Sequence, residues 1–371
     1  MKIIPVTNQN DLMRFIKFPH KLYKGDKNWV PKLIMEEKKF FNPKKNPYYK
    51  HSEVMLFLAV ENNKVVGRIS AHTNTEHNKV HNDKVGFFGF FEAINNQDVA
   101  NVLFDAASKW LRSKGRDSMR GPMNFSTNDE CGLLIDGFDL PPMVMMPHNK
   151  EYYQSLIEGA GLDKVMDLYA YLADVQPPPD RIKKLADKLE KRGHFTIRSL
   201  NKSNKKTLKK DIETIFEIYT KAWENNWGAV PMTNLEFKHI VDELMPIVVP
   251  ELLFIAEVDG EPAGFSMTLP DYNFILKKMN GHLFPFGILK ALYYKNKMPQ
   301  LRVITMGVIK KFQNRGIDTV FYSKSFEIAY ERGYKQGEFS WILEDNVMMN
   351  RIAKSLDGER YKTYRIFEDK I

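Results

Sequence analysis

The stretch from Met306 to Asp318 reads Met-Gly-Val-Ile-Lys-Lys-Phe-Gln-Asn-Arg-Gly-Ile-Asp and runs into a helical pattern that reaches Glu331. A strand that enters a tight loop at Gly316 and leaves as a helix gathers free backbone N–H groups and the positive helix end at one point. Such a point binds an anion and suits a pyrophosphate. Lys310, Lys311 and Arg315 add positive charge around it. A second chemically dense stretch lies between Gly121 and Asn149. Asn124, Ser126, Asn128, Asp129, Glu130 and Cys131 are followed there by Pro141-Pro142 and by Met143 to Met146. Loops of this length in compact domains are often functional. Asn124, Ser126, Asn128 and Glu130 are therefore candidate acceptor contacts, the alternative being a folded surface loop. Cys131 is the one cysteine, which excludes an intrachain disulfide and a zinc-finger site. No activating histidine can be assigned to it, so it has little claim as a nucleophile. His77 and His81 are four apart, as in a helical zinc pair, but Asn78 stands where a metalloprotease helix has glutamate. His72, His77 and His81 are expected to be surface histidines, with no metal bound.

The elements that must hold these residues repeat along the chain. Val54 to Val60 and Val65 to Ala71 read as a hairpin, as do Leu252 to Val258 and Ala263 to Leu269. A strand and a helix follow in each half: Lys84 to Glu92 with Asp98 to Ser113, and Leu301 to Lys310 with Gly316 to Glu331. Gly115 and Gly333 stand just past the two helices, as C′ glycines do. A strand comes next, Asp117 to Asn124 or Gln336 to Leu343. Helical stretches at Asn149 to Gly161 and Asn346 to Gly358 precede the closing strands, Lys164 to Ala173 and Arg360 to Glu368. Repeated order and spacing indicate an internal duplication. The mixture indicates α/β or α+β layers around a mixed sheet. Three prolines at 177–179 cannot continue a helix or sit in a central strand. They divide the chain into 1–175, a linker with a basic helix at 176–193, and 194–371.

The chain has 371 residues with a net charge of +9, of which residues 1–178 carry +2 and the remainder +7. Such an excess invites an anionic partner: nucleic acid, an acidic membrane surface or a phosphorylated small molecule. The half with the anion loop holds most of it, so an anionic cofactor suffices. The N-terminus lacks the apolar core of a signal peptide, and no apolar run reaches the roughly 18 residues that span a bilayer. A cytoplasmic location is expected. An insertion, Tyr272 to Met298, mixes apolar and aromatic residues with lysines and holds no acidic residue. It reads as a helix packed on its own domain, with a membrane or lipid-like acceptor as the alternative.

Gln313-Asn314-Arg315-Gly316-Ile317-Asp318 resembles the Gln/Arg-x-x-Gly-x-Gly/Ala motif of the GNAT superfamily of N-acetyltransferases. The likeness covers Phe195 to Ile371 and extends more faintly over Met1 to Asp174, so the whole is similar to the tandem GNAT-like proteins of bacteria. The resemblance implies two GNAT folds and acetyl-CoA, or another acyl-CoA, as donor. Met306 and Val308 would present backbone groups to the pantetheine arm. The amides of Asn314, Arg315, Gly316, Ile317 and Asp318 would hold the pyrophosphate after Gln313, and Asn346 would lie beside the pantetheine. Asp318 departs from the small residue of the motif; it would repel a pyrophosphate or simply cap its helix. In the first half, Asp98 and Ala100 stand where Gly316 and Asp318 do, so that half is expected not to bind CoA.

Acyl transfer from a thioester to an amine needs a base for the amine and an acid for the leaving thiolate. The family's tyrosine would fall near Ala353, so Tyr361 and Tyr364 are its substitutes by type. Glu338 and Glu344 are the base candidates, Glu338 also reading as an ordinary strand carboxylate. The expected activity is N-acetyl transfer to a small-molecule amine or peptide. Aminoacyl transfer from tRNA, with the basic cluster Arg181 to Lys210 meeting RNA, is one alternative. A non-catalytic CoA-binding regulator is the other.

Overall fold

A computed structural model describes residues 1–192, 194–223 and 226–371. The linker expected to end at Gly193 thus ends on a residue outside the described set. The first half contributes β1 (Lys2–Pro5), β2 (Val54–Glu61), β3 (Lys64–His72), β4 (Val85–Ala93), β5 (Ser118–Gly121), β6 (Leu133–Asp136) and β7 (Asp163–Asp174). The second contributes β8 (Phe195–Ser199), β9 (Leu253–Val258), β10 (Glu261–Pro270), β11 (Gln300–Val308), β12 (Gln336–Leu343) and β13 (Glu359–Lys370). All thirteen join one sheet, in the order β1-β2-β3-β4-β5-β13-β7-β12-β11-β10-β9-β8, with β6 set against β13.

The order at the centre is the notable point. Within each half, two strands run parallel: β4 with β5, and β11 with β12. The strand that flanks each pair comes from the other half. β13 lies antiparallel to β5, and β7 lies antiparallel to β12, while β7 and β13 pair with each other. The two closing strands are exchanged.

Local sequence explains the elements. Every residue of β4 is buried, as a strand covered on both faces requires. The helix Gln97–Ser113 buries Val99, Leu103, Ala107 and Leu111 on one side, and the Asn96 side chain accepts from the amides of Asp98 and Val99 at its start. That helix and Tyr153, Leu156 and Ile157 form the first core, and Ile218, Ile255, Ala263, Val320 and Phe321 form part of the second. β5 stops at Gly121, short of the expected Asn124, because Pro122 has no N–H to continue the ladder. The helix expected over 149–161 occupies only Tyr153–Gly159.

The histidines are a correction. His72 and His77 are 0% and 1% exposed rather than on the surface. Burial pulls His72 down to about 3, and its Nε2 bonds the Phe125 carbonyl at 3.0 Å. His77 is likewise drawn down by burial to about 4, beside Asp83 at 3.2 Å. Both are neutral core residues.

Candidate active site

β11 and β12 pair only over Gln300–Val303 against Gln336–Phe339. Beyond that they part: β11 stays paired with β10 as far as Val308 but shifts register after Val303, and β12 shifts register along β7 between Phe339 and Ile342. The wedge between them opens into a cavity of about 590 Å³. Met306, Tyr322, Asn346 and Met349 form its wall at the loop end. Ile215 and Trp223 from the helix Lys205–Trp223, and Phe237 and Leu244 from the helix Asn234–Leu244, form its roof. Its polar groups include Asn128, Asp129, Arg302 and Ser340.

Among the described residues, the first half is closed at the corresponding place. A Cβ on Gly89 would lie 1.9 Å from the Met123 carbonyl oxygen, and one on Gly121 would lie 2.3 Å from that of Phe88. The Met123 amide donates to Phe88 O at 2.8 Å, and the Phe90 amide donates to Asn124 Oδ1 at 2.8 Å. The chain itself fills the gap between β4 and the segment after β5.

The anion loop adopts the geometry its sequence implies. Gly316 has φ +81° and precedes the helix Ile317–Glu331, with no side chain capping its amides. Asp318 therefore is not the cap. None of the amides of residues 314–318 meets a backbone or side-chain acceptor among the described residues. An unmet row of N–H groups at a helix start is what a pyrophosphate would satisfy. The linker helix Asp180–Arg192 packs against this helix, with Lys183 on Glu327 at 2.7 Å and Lys324 on Glu190 at 3.1 Å. Its Leu189 sits against Gly316, where a Cβ would come within 2.5 Å of the leucine methyl.

A buried charged cluster starts at Arg302 and Ser340 on the cavity wall and extends behind it. Arg302 faces Glu338 across the parallel pair, with Nε 3.3 Å from Oε1. It also donates to Ser340 Oγ at 2.7 Å and to the Val144 carbonyl at 2.7 Å. Ser340 and Tyr361 both donate to Glu338. Lys362, wholly buried, donates to the carbonyls of Gly137 and Leu140, and burial pulls it down to about 8. Asp271 accepts from the amides of Val144 and Asn273, and burial pushes its carboxyl up to about 7.

No family model matches the chain. Two curated proteins match nearly all of it. The "Bacterial ceramide synthase" of Caulobacter vibrioides is 38% identical over 375 residues, covering 99% of this chain and 97% of its own. "Protein YghO" of Escherichia coli is 37% identical over 373 residues, covering 98% and 94%. This chain belongs to their family. Among solved structures, a tandem GNAT protein from the clavulanic acid biosynthesis pathway matches 100% of this chain and 98% of its own, with a TM-score of 0.57 at 10% identity. A GCN5-related N-acetyltransferase from Sphaerobacter thermophilus covers 99% and 95%, with a TM-score of 0.53 at 12% identity. Those likenesses give the fold: this is a mixed α/β tandem GNAT fold over its whole length.

On that fold, the expected site residues separate into two groups. Met306, Asn346 and Asn128 lie on the wall of the GNAT cleft. Asn346 also caps the helix Val347–Ser355 by accepting from the Met349 amide. Val308 pairs with Gly264, and its carbonyl accepts from Gln313 Nε2 at 3.1 Å. Gln313, Asn314, Arg315, Gly316, Ile317 and Asp318 form the loop itself, with Ile317 buried beneath it. The other expected contacts are used elsewhere. Asn124 plugs the first half, Ser126 donates to Asp129 Oδ2 at 3.1 Å, and Glu130 pairs with Lys32 at 2.6 Å. Glu338, Tyr361 and Tyr364 lie behind the wall; Tyr364 is fully buried and its hydroxyl has no partner among the described residues. Glu344 is drawn to the surface by Lys164 at 2.7 Å and accepts the Asp167 amide. Burial raises the Cys131 thiol to about 12, so it is no nucleophile at neutral pH.

Two residues that line the cleft had no role assigned from sequence. Arg302 reads as one polar position in a strand, and only the register opposite Glu338 shows why it is charged. Asp129 was one of several polar residues in the long loop. Burial pushes its carboxyl up to about 7, against the hydrogen bond from Ser126 and the field of Lys32. No helix among the described residues is long and apolar enough to cross a membrane, and none of their His, Cys, Asp or Glu groups could hold a metal ion.

Proposed function

We propose that the protein transfers a long acyl chain from an acyl-CoA thioester to the amine of an amphipathic acceptor. The observation that carries this reading is the cavity, an apolar space of about 590 Å³ that runs from the parted strands to beneath two helices. The loop before Ile317 would take the pyrophosphate, and the pantetheine would follow β11 past Met306 toward Arg302. An acetyl group would leave most of the apolar wall uncovered. A long chain would fill it, each buried methylene adding about 0.8 kcal/mol. The Caulobacter relative bears the name of a ceramide synthase. A ceramide is a long-chain amine that carries an amide-linked acyl chain, so that name is consistent with this pairing of substrates.

In this reading the acceptor nitrogen attacks the thioester carbonyl and the carbon–sulfur bond breaks. The nitrogen gives up a proton to the Asp129 carboxylate, and Asp129 returns that proton to the departing sulfur, which leaves as the CoA thiol. A carboxyl near 7 is suited to that work at neutral pH. Glu338 holds Arg302 in place rather than touching substrate. Arg302 and Asn128 supply donors at the wall where a carbonyl oxygen would gather charge. Titration calorimetry with CoA, acetyl-CoA, octanoyl-CoA and palmitoyl-CoA tests the donor. Affinity should rise with chain length until the cavity is full. Equal affinity for the acetyl and palmitoyl donors would remove the ground for a long chain.

A further inference from the structure

The insertion 272–298 divides in two. Its first helix, Asn273–Met279, buries Ile275 and Met279 and packs as expected. Its second, Gly287–Tyr294, does not. Phe284, Phe286, Leu289, Leu292 and Tyr293 stand 58–67% exposed, and Ile288 37%. On the helix, Phe286, Leu289 and Tyr293 follow one another at i, i+3 and i+7, with Leu292 beside them, so they share a face. Exposed apolar side chains gathered on one face mark a surface that something covers. The turn that carries the second helix is closely packed and is tied to the first half. A Cβ on Gly287 would meet the His282 carbonyl at 2.2 Å, and the Ile34 amide donates to Gly281 O at 3.2 Å.

The charges around the patch have one sign. Residues 272–298 hold five lysines and no acidic residue. Lys277, Lys278, Lys290, Lys295 and Lys297 are all exposed. Lys297 lies 3.5 Å over the Tyr293 ring, and Lys278 lies over both Phe274 and Tyr294 at 5.7 and 5.8 Å. Their ammonium groups thus rim the apolar face.

We propose that this surface seats on an anionic lipid bilayer. The aromatic and leucine side chains enter the boundary between headgroups and acyl chains, and the lysines meet the lipid phosphates. A second copy of the chain is the poorer occupant. A symmetric pair would set the same patch against itself, five lysines against five, with no carboxylate in the segment to separate them. The patch also adjoins the cleft. Asp271 and Asn273, at the root of the insertion, bond the Val144 amide and the Pro142 carbonyl. The next residue, Met145, is on the cavity wall, as is Arg302, which bonds Val144 O. An amphipathic acceptor leaving the bilayer here would have a short path to the cleft. The membrane contact itself does not depend on acyl transfer.

The test is co-sedimentation of the full chain, without donor, with vesicles of phosphatidylcholine alone or with about one-quarter phosphatidylglycerol. The wild type should bind the mixed vesicles and leave the neutral ones. The double variant Phe286→Glu with Leu289→Glu should bind at least tenfold more weakly. Replacing Lys290, Lys295 and Lys297 by Glu should also lose at least tenfold, each lysine being worth about fivefold. Palmitoyl-CoA affinity should be unchanged in both, since none of these side chains lines the cavity. Equal binding to neutral and mixed vesicles, or variants that bind as the wild type does, would overturn the proposal. So would a wild-type dimer that Phe286→Glu dissolves, or a matching loss of donor binding. Vesicle binding without any acyl-CoA binding would leave the surface standing and remove the transferase reading alone.

Discussion

Asp129 forms no ion pair among the described residues; Lys32, one of the cations that act on it, pairs with Glu130 instead. Its carboxyl therefore rises from an ordinary 3.8 to about 7, chiefly through burial. Two outcomes follow at this scale. Below about pH 4 the group is protonated folded or unfolded. Between about 4 and 7 the unfolded chain ionises it first, so the native state loses stability as pH rises through that window. Asp129→Asn should remove that loss, leaving the variant more stable than the wild type at pH 8 by on the order of 4 kcal/mol and nearly equal to it at pH 4. Denaturant melts at the two pH values measure this. The same substitution should lower kcat by about 100-fold and abolish the rise in kcat/KM near pH 7. An active variant with an unchanged pH profile would show that the base is another group.

Among the elements, the loop and the linker helix depend on each other at Gly316. Gly316→Ala places a Cβ where φ is +81° and 2.5 Å from the Leu189 methyl. The left-handed backbone costs an L residue about 1–2 kcal/mol. The Leu189 side chain must also turn aside, which loosens its contact with the loop. Gly333→Ala makes the control: its φ is +78°, but nothing lies within 4 Å. Both variants should lose similar stability by thermal melting, and only Gly316→Ala should weaken acyl-CoA binding, by at least tenfold. This loop was legible in the sequence because a strand, a glycine and a helix in succession admit few geometries. The cleft beside it was legible only as a place. Its wall depends on the register of Arg302 against Glu338 and on a shift along β12, neither of which leaves a mark in one strand's own residues. The same limit misplaced Asn124, whose side chain satisfies the Phe90 amide from a strand more than thirty positions earlier.

For the whole molecule, the exchanged strands join what the proline segment divides. β7 and β13 are both 12-residue strands with buried centres, and each could sit beside either parallel pair by pattern alone. The hairpins, the parallel pairs and the duplication follow from local patterning; which closing strand goes where does not. The arrangement predicts a single cooperative transition, with calorimetric and van't Hoff enthalpies equal within error. Residues 1–175 alone should not fold, because β5 and β6 would lose β13 as a neighbour. Two resolved transitions, or a stable isolated first half, would show that the exchange matters little.

The position of β13 also bears on synthesis. A chain emerging from the ribosome usually completes its N-terminal domain while the remainder is still being made. Here β5 must wait with one edge unpaired, and β7 with both, until β12 and then Glu359–Lys370 have emerged some two hundred residues later. An open edge beside buried strands is a template for the wrong partner. The nascent first half should therefore lean on chaperones that shield such edges, and its yield should respond more to translation speed than that of a protein whose domains close in turn.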